Sequence, residues 1–292
     1  MSYDFDLGPW RREITTAHPE AQAWFDRGLN WLYAYNHEEA VTCFRHALER
    51  DPGCAMAHWG VACAGGPFYN RPWIRFTDAE IEAVLPVCHA AAAQAAARAE
   101  GCTAPERALI AAIGHRYPRE MTLDRDDLNR WHDAYAGQMR AAHAAHPDDP
   151  DIAALFVEAA VTRTPRQLWD LARGVPQAGS DVAEGIEVLE RMLARHPAHP
   201  GLLHMHIHAL EMSPFPERAL ISADRLRGSA IDAGHMEHMP AHVYVLVGDY
   251  AQAVAQSLRA LRADDRYLAH AGPRNFYTTA RCHDAHLLMY AA

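Results

Sequence analysis

The chain has 292 residues, half of them hydrophobic, and a net charge of -10 with histidine counted neutral. That is the composition of a folded chain with a sizeable core, and an acidic balance without basic clusters argues against nucleic-acid binding. No stretch approaches the roughly 18–20 apolar residues of a membrane span; even "AVLPVCHAAAAQAAARA" (83–99) is interrupted by Pro86, His89 and Gln94.

All 27 basic residues are arginine. The six cysteines show no CxxC spacing and are expected as small buried residues in a reducing cytoplasm. The opening "MSYDFDLGPWRRE" has no apolar core of signal-peptide length. From there on apolar residues recur at helical spacing and β-branched runs are rare, so the chain is predicted to be all-α.

The first window is 21–54, "AQAWFDRGLNWLYAYNHEEAVTCFRHALERDPGC". Trp24, Gly28, Trp31, Ala40, Phe44, Ala47 and Pro52 fall where large, small, aromatic, small, aromatic, small and proline residues are wanted by a 34-residue helical hairpin. The window resembles a tetratricopeptide repeat (TPR). Small residues at Gly28 and Ala40 let two antiparallel helices approach, Trp24 and Phe44 fill the gap, and Pro52 stops the second helix. The resemblance implies an α-solenoid, a right-handed superhelix of antiparallel hairpins with a concave groove, over a single domain, 1–292.

After Ala55 a further helix runs into the loop "GPFYNRPW" (66–73). That loop reads either as a lid carrying Tyr69, Asn70 and Arg71 or as a rigid proline-bounded connection. Helices follow in the alanine-rich stretch, in 104–118 and in 128–150, and another starts at Ile152. Residues 164–180 read as an insertion or long loop. Repeat-like segments resume at 181–199, 200–233 and 234–267. The end, "CHDAHLLMYAA", reads as the middle of a helix, so the natural chain is expected to continue past Ala292.

Two stretches carry chemistry. "LLHMHIHALE" holds His204 and His208 four apart; "HMEHMPAHVY" holds His238 and His242 four apart, 34 residues later. Both pairs occupy the fifth and ninth places of their windows, counted from Pro200 and Gly234. In TPR arrays those places lie on the first helix and face the groove. Neighbours at i and i+4 have Cβ atoms about 5–6 Å apart and adjacent helices pack about 8–10 Å apart, so four imidazoles can converge on one ion. A histidine-rich, cysteine-free donor set points to copper or iron, with zinc the alternative.

Glu211, three residues past His208, can ligate, orient a histidine or act as base. Glu158, at the ninth place of the window from Pro150, is expected to point into the same groove. Pro240 places His238 in the turn before its helix, because the residue preceding proline avoids helix. His206 is expected on the helix–helix side, and His196 and His199, flanked by prolines, in solvent. His37 and Asn36 read as turn formers that can reach the groove, and His283 can reach it only if the solenoid curls.

Across nearly its whole length the chain is similar to a bacterial group of TPR-like proteins of uncertain biochemical role. The similarity rests on "NHEEAVTCFRHALERDPGCAMAHWGVA", "GPFYNRPW", "HPDDPDIAALFVEA", "HPGLLHMHIHALEMSPFPERAL" and "AGHMEHMPAHVYVLVGDY". No GxSxG, Walker, GxGxxG or HExxH pattern occurs. The sequence therefore supports a cytoplasmic metal-dependent enzyme, an oxidoreductase acting on a small molecule ahead of a hydrolase. The rival is a TPR module holding a protein or peptide in the groove.

Overall fold

Small residues set the packing of the first hairpin. In the computed structural model, which describes residues 3–229 and 231–292, α1 (Pro19–Tyr33) pairs with α2 (His37–Arg50). A Cβ on Gly28 would lie 2.7 Å from the Phe44 ring, so glycine makes the space that this ring fills. Phe44 and Phe25 are both fully buried, with centroids 5.4 Å apart. Trp24, expected in that gap, is instead half-buried and packs edge-on against Tyr3. Asn36 caps α2 by accepting from the Glu39 amide, and the helix ends before Pro52.

Hairpins then follow in chain order. They are α3 (Ala55–Gly65) with α4 (Asp78–Ala97), α5 (Ala104–Arg116) with α6 (Arg125–Ala145) and α7 (Pro150–Val161) with α8 (Val182–Arg195). Next come α9 (Pro200–Leu210) with α10 (Leu220–Arg227) and α11 (Gly234–Leu246) with α12 (Tyr250–Ala271). A last helix, α13 (Tyr277–Ala291), packs on both α11 and α12. The insertion at 164–180 holds a two-stranded antiparallel hairpin, Trp169–Asp170 with Val175–Pro176. The fold is an all-α solenoid of helical hairpins, as the repeat pattern predicts. No helix among the described residues is long and apolar enough to cross a membrane.

The concave face is not an open groove. α9 is buried all round, every residue from Gly201 to Leu210 included, its three histidines among them, the signature of a central helix. It contacts α1, α7, α8, α10 and α11. A Cβ on Gly201 would sit 2.6 Å from the Tyr33 ring, so glycine sets the close approach of α1 to α9. The N-terminal segment straps this closure: Arg12 pairs with Asp149 and Asp151 at the start of α7, and Asp6 is bonded to Asp232 ahead of α11. The solenoid thus curls on itself and encloses its inner face.

Candidate metal centre

The two inner helices α9 and α11 supply five imidazoles, and α13 supplies a sixth. His204 and His208 sit one turn apart on α9 with 1% and 3% exposure. Each has one ring nitrogen engaged and one free. His204 Nδ1 donates to the Tyr33 carbonyl at 2.6 Å, and His208 Nδ1 donates to Glu211 Oε1 at 2.7 Å. Both Nε2 atoms are buried with no partner among the described residues. A ligating histidine has this arrangement: the second nitrogen is held by a carbonyl or carboxylate, which fixes the tautomer and aims the lone pair.

His235 completes the first group. The ligand atoms of His204, His208 and His235 all lie within 4.8 Å of one another. His235 Nε2 is 3.5 Å from the Asn70 amide nitrogen, and its Nδ1 is a buried orphan. Tyr35, at a left-handed φ of 56°, stacks on His208 and His235 at 5.6 and 5.4 Å and caps the group. Its hydroxyl turns away to Met205.

His238, His242 and His283 form a second group by the same measure. His242 Nε2 lies 2.8 Å from His238 Nε2 and 3.3 Å from His283 Nε2. Two nitrogens bound to one ion at 2.0–2.1 Å are separated by about 2.9–3.4 Å; the 3.3 Å pair falls in that range, and the 2.8 Å pair is a His–His hydrogen bond. His242 Nδ1 is 3.2 Å from Glu211 Oε2. His238 Nδ1 is 3.3 Å from Asp284 Oδ1, though off the line of a good hydrogen bond.

The four histidines expected at one point therefore divide between two neighbouring groups, each completed by a residue the repeat register did not select. His238 also differs from its sequence-based placement. α11 starts at Gly234 and runs through Pro240, so His238 is helical and fully buried. Two turns precede the missing amide, and the cost is one backbone hydrogen bond inside a tightly packed helix.

Glu211 places one oxygen on each histidine group, Oε1 on His208 and Oε2 on His242. Burial raises its pKa, against the pull of His242 and Arg166. Burial pushes His208 down to about 3 and His242 to about 4, and holds His204, His235 and His238 well below the ordinary histidine value. His283 is lowered by burial and by Arg166. The imidazoles are thereby neutral and available as donors.

Glu158 does not line the space shared by both groups, but it shares a cavity with His204. It accepts the Tyr69 amide at 3.1 Å, and that small cavity is lined by His204 together with Tyr33, Tyr35 and His37. His37 bonds the Ala64 carbonyl and stacks on Phe68 at 3.9 Å, so it supports the wall without reaching the ligands. The 66–73 loop does reach them: Tyr69 packs on His208 at 4.9 Å and Asn70 meets His235. Arg71 pins that loop, pairing with Glu80 and lying 4.1 Å over Phe276, just ahead of α13. His206 faces α10, bonded to Ser222, as expected.

His199, expected in solvent, is fully buried. Trp10 of the N-terminal strap covers it at 4.1 Å, and it caps α9 by accepting from the Leu202 amide.

A cavity of about 140 Å³ opens beside both groups, lined by His208 and His235 of one and by His242 and His283 of the other. Arg166 stands at its edge, exposed and without an ion-pair partner among the described residues, at a left-handed φ of 61°. Phe68 and Phe276 supply the apolar wall. Residues 21–54 match the family model described as Tetratricopeptide repeat. No curated protein matches the chain.

Proposed function

We propose that this chain, a TPR-like helical-repeat protein, is a metal-dependent enzyme that oxidises a small molecule at a histidine-held transition metal. One observation carries the reading: His204 and His208 present buried, unpartnered Nε2 atoms whose Nδ1 atoms are fixed by a carbonyl and a carboxylate. Packed His132 also leaves one buried nitrogen bare, but among the described residues it joins no ligand group, whereas the ligand atoms of His204, His208 and His235 converge within 4.8 Å. The donor set is all imidazole, and the nearest carboxylates, Glu211 and Asp284, stand behind the ligands. That favours copper over iron, whose oxygenase sites take a carboxylate into the ligand set; zinc with hydrolysis is the runner-up.

The cavity suits a small substrate, and Arg166 favours one bearing an anionic group. Its volume and its buried ligands count against an extended peptide as the occupant. The reading keeps the protein in the cytoplasm, where its cysteines, five buried and Cys282 exposed against expectation, persist as free thiols.

Metal analysis by inductively coupled plasma mass spectrometry tests it, on untagged protein and on a His204→Ala, His208→Ala variant. Stoichiometric metal, diminished in the variant with helicity retained, supports the site. Absence of metal as purified and of uptake from copper, iron or zinc leaves an enclosed TPR-like module with a peptide or protein partner.

A further inference from the structure

We infer that the six imidazoles hold two metal ions side by side, three histidines to each, in a single dinuclear centre; the inference rests on the metal reading above. Three protein ligands with one open position is the pattern of a reactive site, and each trio supplies three. Within the trios ring centroids are 4.6–6.1 Å apart for His204, His208 and His235 and 4.6–5.4 Å apart for His238, His242 and His283. Between them, His235 and His238 stack at 5.8 Å, three residues apart on one face of α11. One helix therefore feeds both sites and fixes their separation.

Glu211 couples them further. Its Oε1 holds His208 of the first trio and its Oε2 is 3.2 Å from His242 of the second. A carboxylate that orients one ligand of each ion sets both lone pairs with a single side chain. The open positions share one chamber, because His208, His235, His242 and His283 all line the 140 Å³ cavity. Two ions facing one small chamber grip a ligand from both ends, as paired-metal sites do. The ligand class that fits between them is a hydroxide or dioxygen, with the substrate arriving from the side of Phe276 and Arg166.

Metal-free full-length protein is titrated separately with copper(II) and zinc(II), and bound ion is counted after free ion is removed. The expected count is two ions per chain. His235→Ala and His283→Ala are each expected to keep one, a twofold loss. His283 is exposed, so its replacement leaves the fold intact, which circular dichroism verifies. Electron paramagnetic resonance gives a second readout. Two adjacent copper(II) ions couple, so the fully loaded protein shows less signal than two isolated ions, whereas each single variant shows the full signal of one. A single ion per chain overturns the dinuclear inference and leaves the metal reading standing. Two ions whose count is unchanged in His283→Ala also overturn it. Uptake of neither metal overturns the metal reading itself.

Discussion

Asp151 and Glu211 are both buried carboxylates that hold histidines, and their surroundings differ in one respect. Both oxygens of Asp151 and both ring nitrogens of its histidine are accounted for. Its oxygens accept from Trp10, Arg12, Tyr33 and His199, and His199 uses its other nitrogen to cap α9. Around Glu211 the carboxylate is equally committed, but the far nitrogen of His208 is left bare. The first hub spends every hydrogen bond on holding the strap, α1, α7 and α9 together. The second aims donors at a cavity. Burial of a histidine therefore says little about its role, and neither does one bare nitrogen, since packed His132 has one too; the convergence of His204, His208 and His235 is what marks a candidate ligand set.

The largest effect should come from breaking the structural hub. Asp151→Asn removes the charge that faces Arg12 and is expected to destabilise the fold by about 3–5 kcal/mol, measured by chemical denaturation. Metal bound per folded chain should not change. The Asp151 carboxyl is held well below its ordinary value; burial alone would raise it, and His199, Arg12 and Tyr33 outweigh that. The stability it contributes is therefore fully present above the unfolded value, about 3.9, and is lost as pH falls below it. In Asp151→Asn that part of the acid dependence should flatten.

Breaking the ligand hub should give the converse. His208→Ala is expected to cost the apo protein only about 1–2 kcal/mol while removing the ion of its own trio. Saturating copper at a hundredfold excess over Kd should stabilise the protein by about 2.7 kcal/mol for each ion bound, so the variant should lose one such increment, a difference thermal melting reads directly. Glu211→Gln is subtler. It keeps the shape and removes the charge behind two ligands, so metal affinity should fall about 10–100-fold without loss of the site, as read by competition with a chelator. Smallest of all, Ser222→Ala should cost about 1 kcal/mol through the lost bond to His206 and leave metal uptake untouched.

Much of this was legible in the sequence, and the failures have physical causes. The first repeat could be read because Gly28, Ala40 and Phe44 encode a steric fit. His204, His208, His238 and His242 could be read because they share a 34-residue register. His235 was missed although its signal was present: 235, 238 and 242 fall at i, i+3 and i+7, one helical face. Pro240 obscured it by suggesting a later helix start. His283 lies 41 residues after His242, out of register, and reaches the site only because α13 folds back over α11. The enclosure of the groove was invisible because the N-terminal strap that covers His199 has no periodicity to read.

The most direct test is anomalous scattering at the copper edge from crystals grown with copper. The account requires density inside the fold, about 2.0–2.1 Å from His204 and His208 Nε2. Copper found only on surface histidines such as His46 or His286, with both Nε2 atoms still bare, would contradict it.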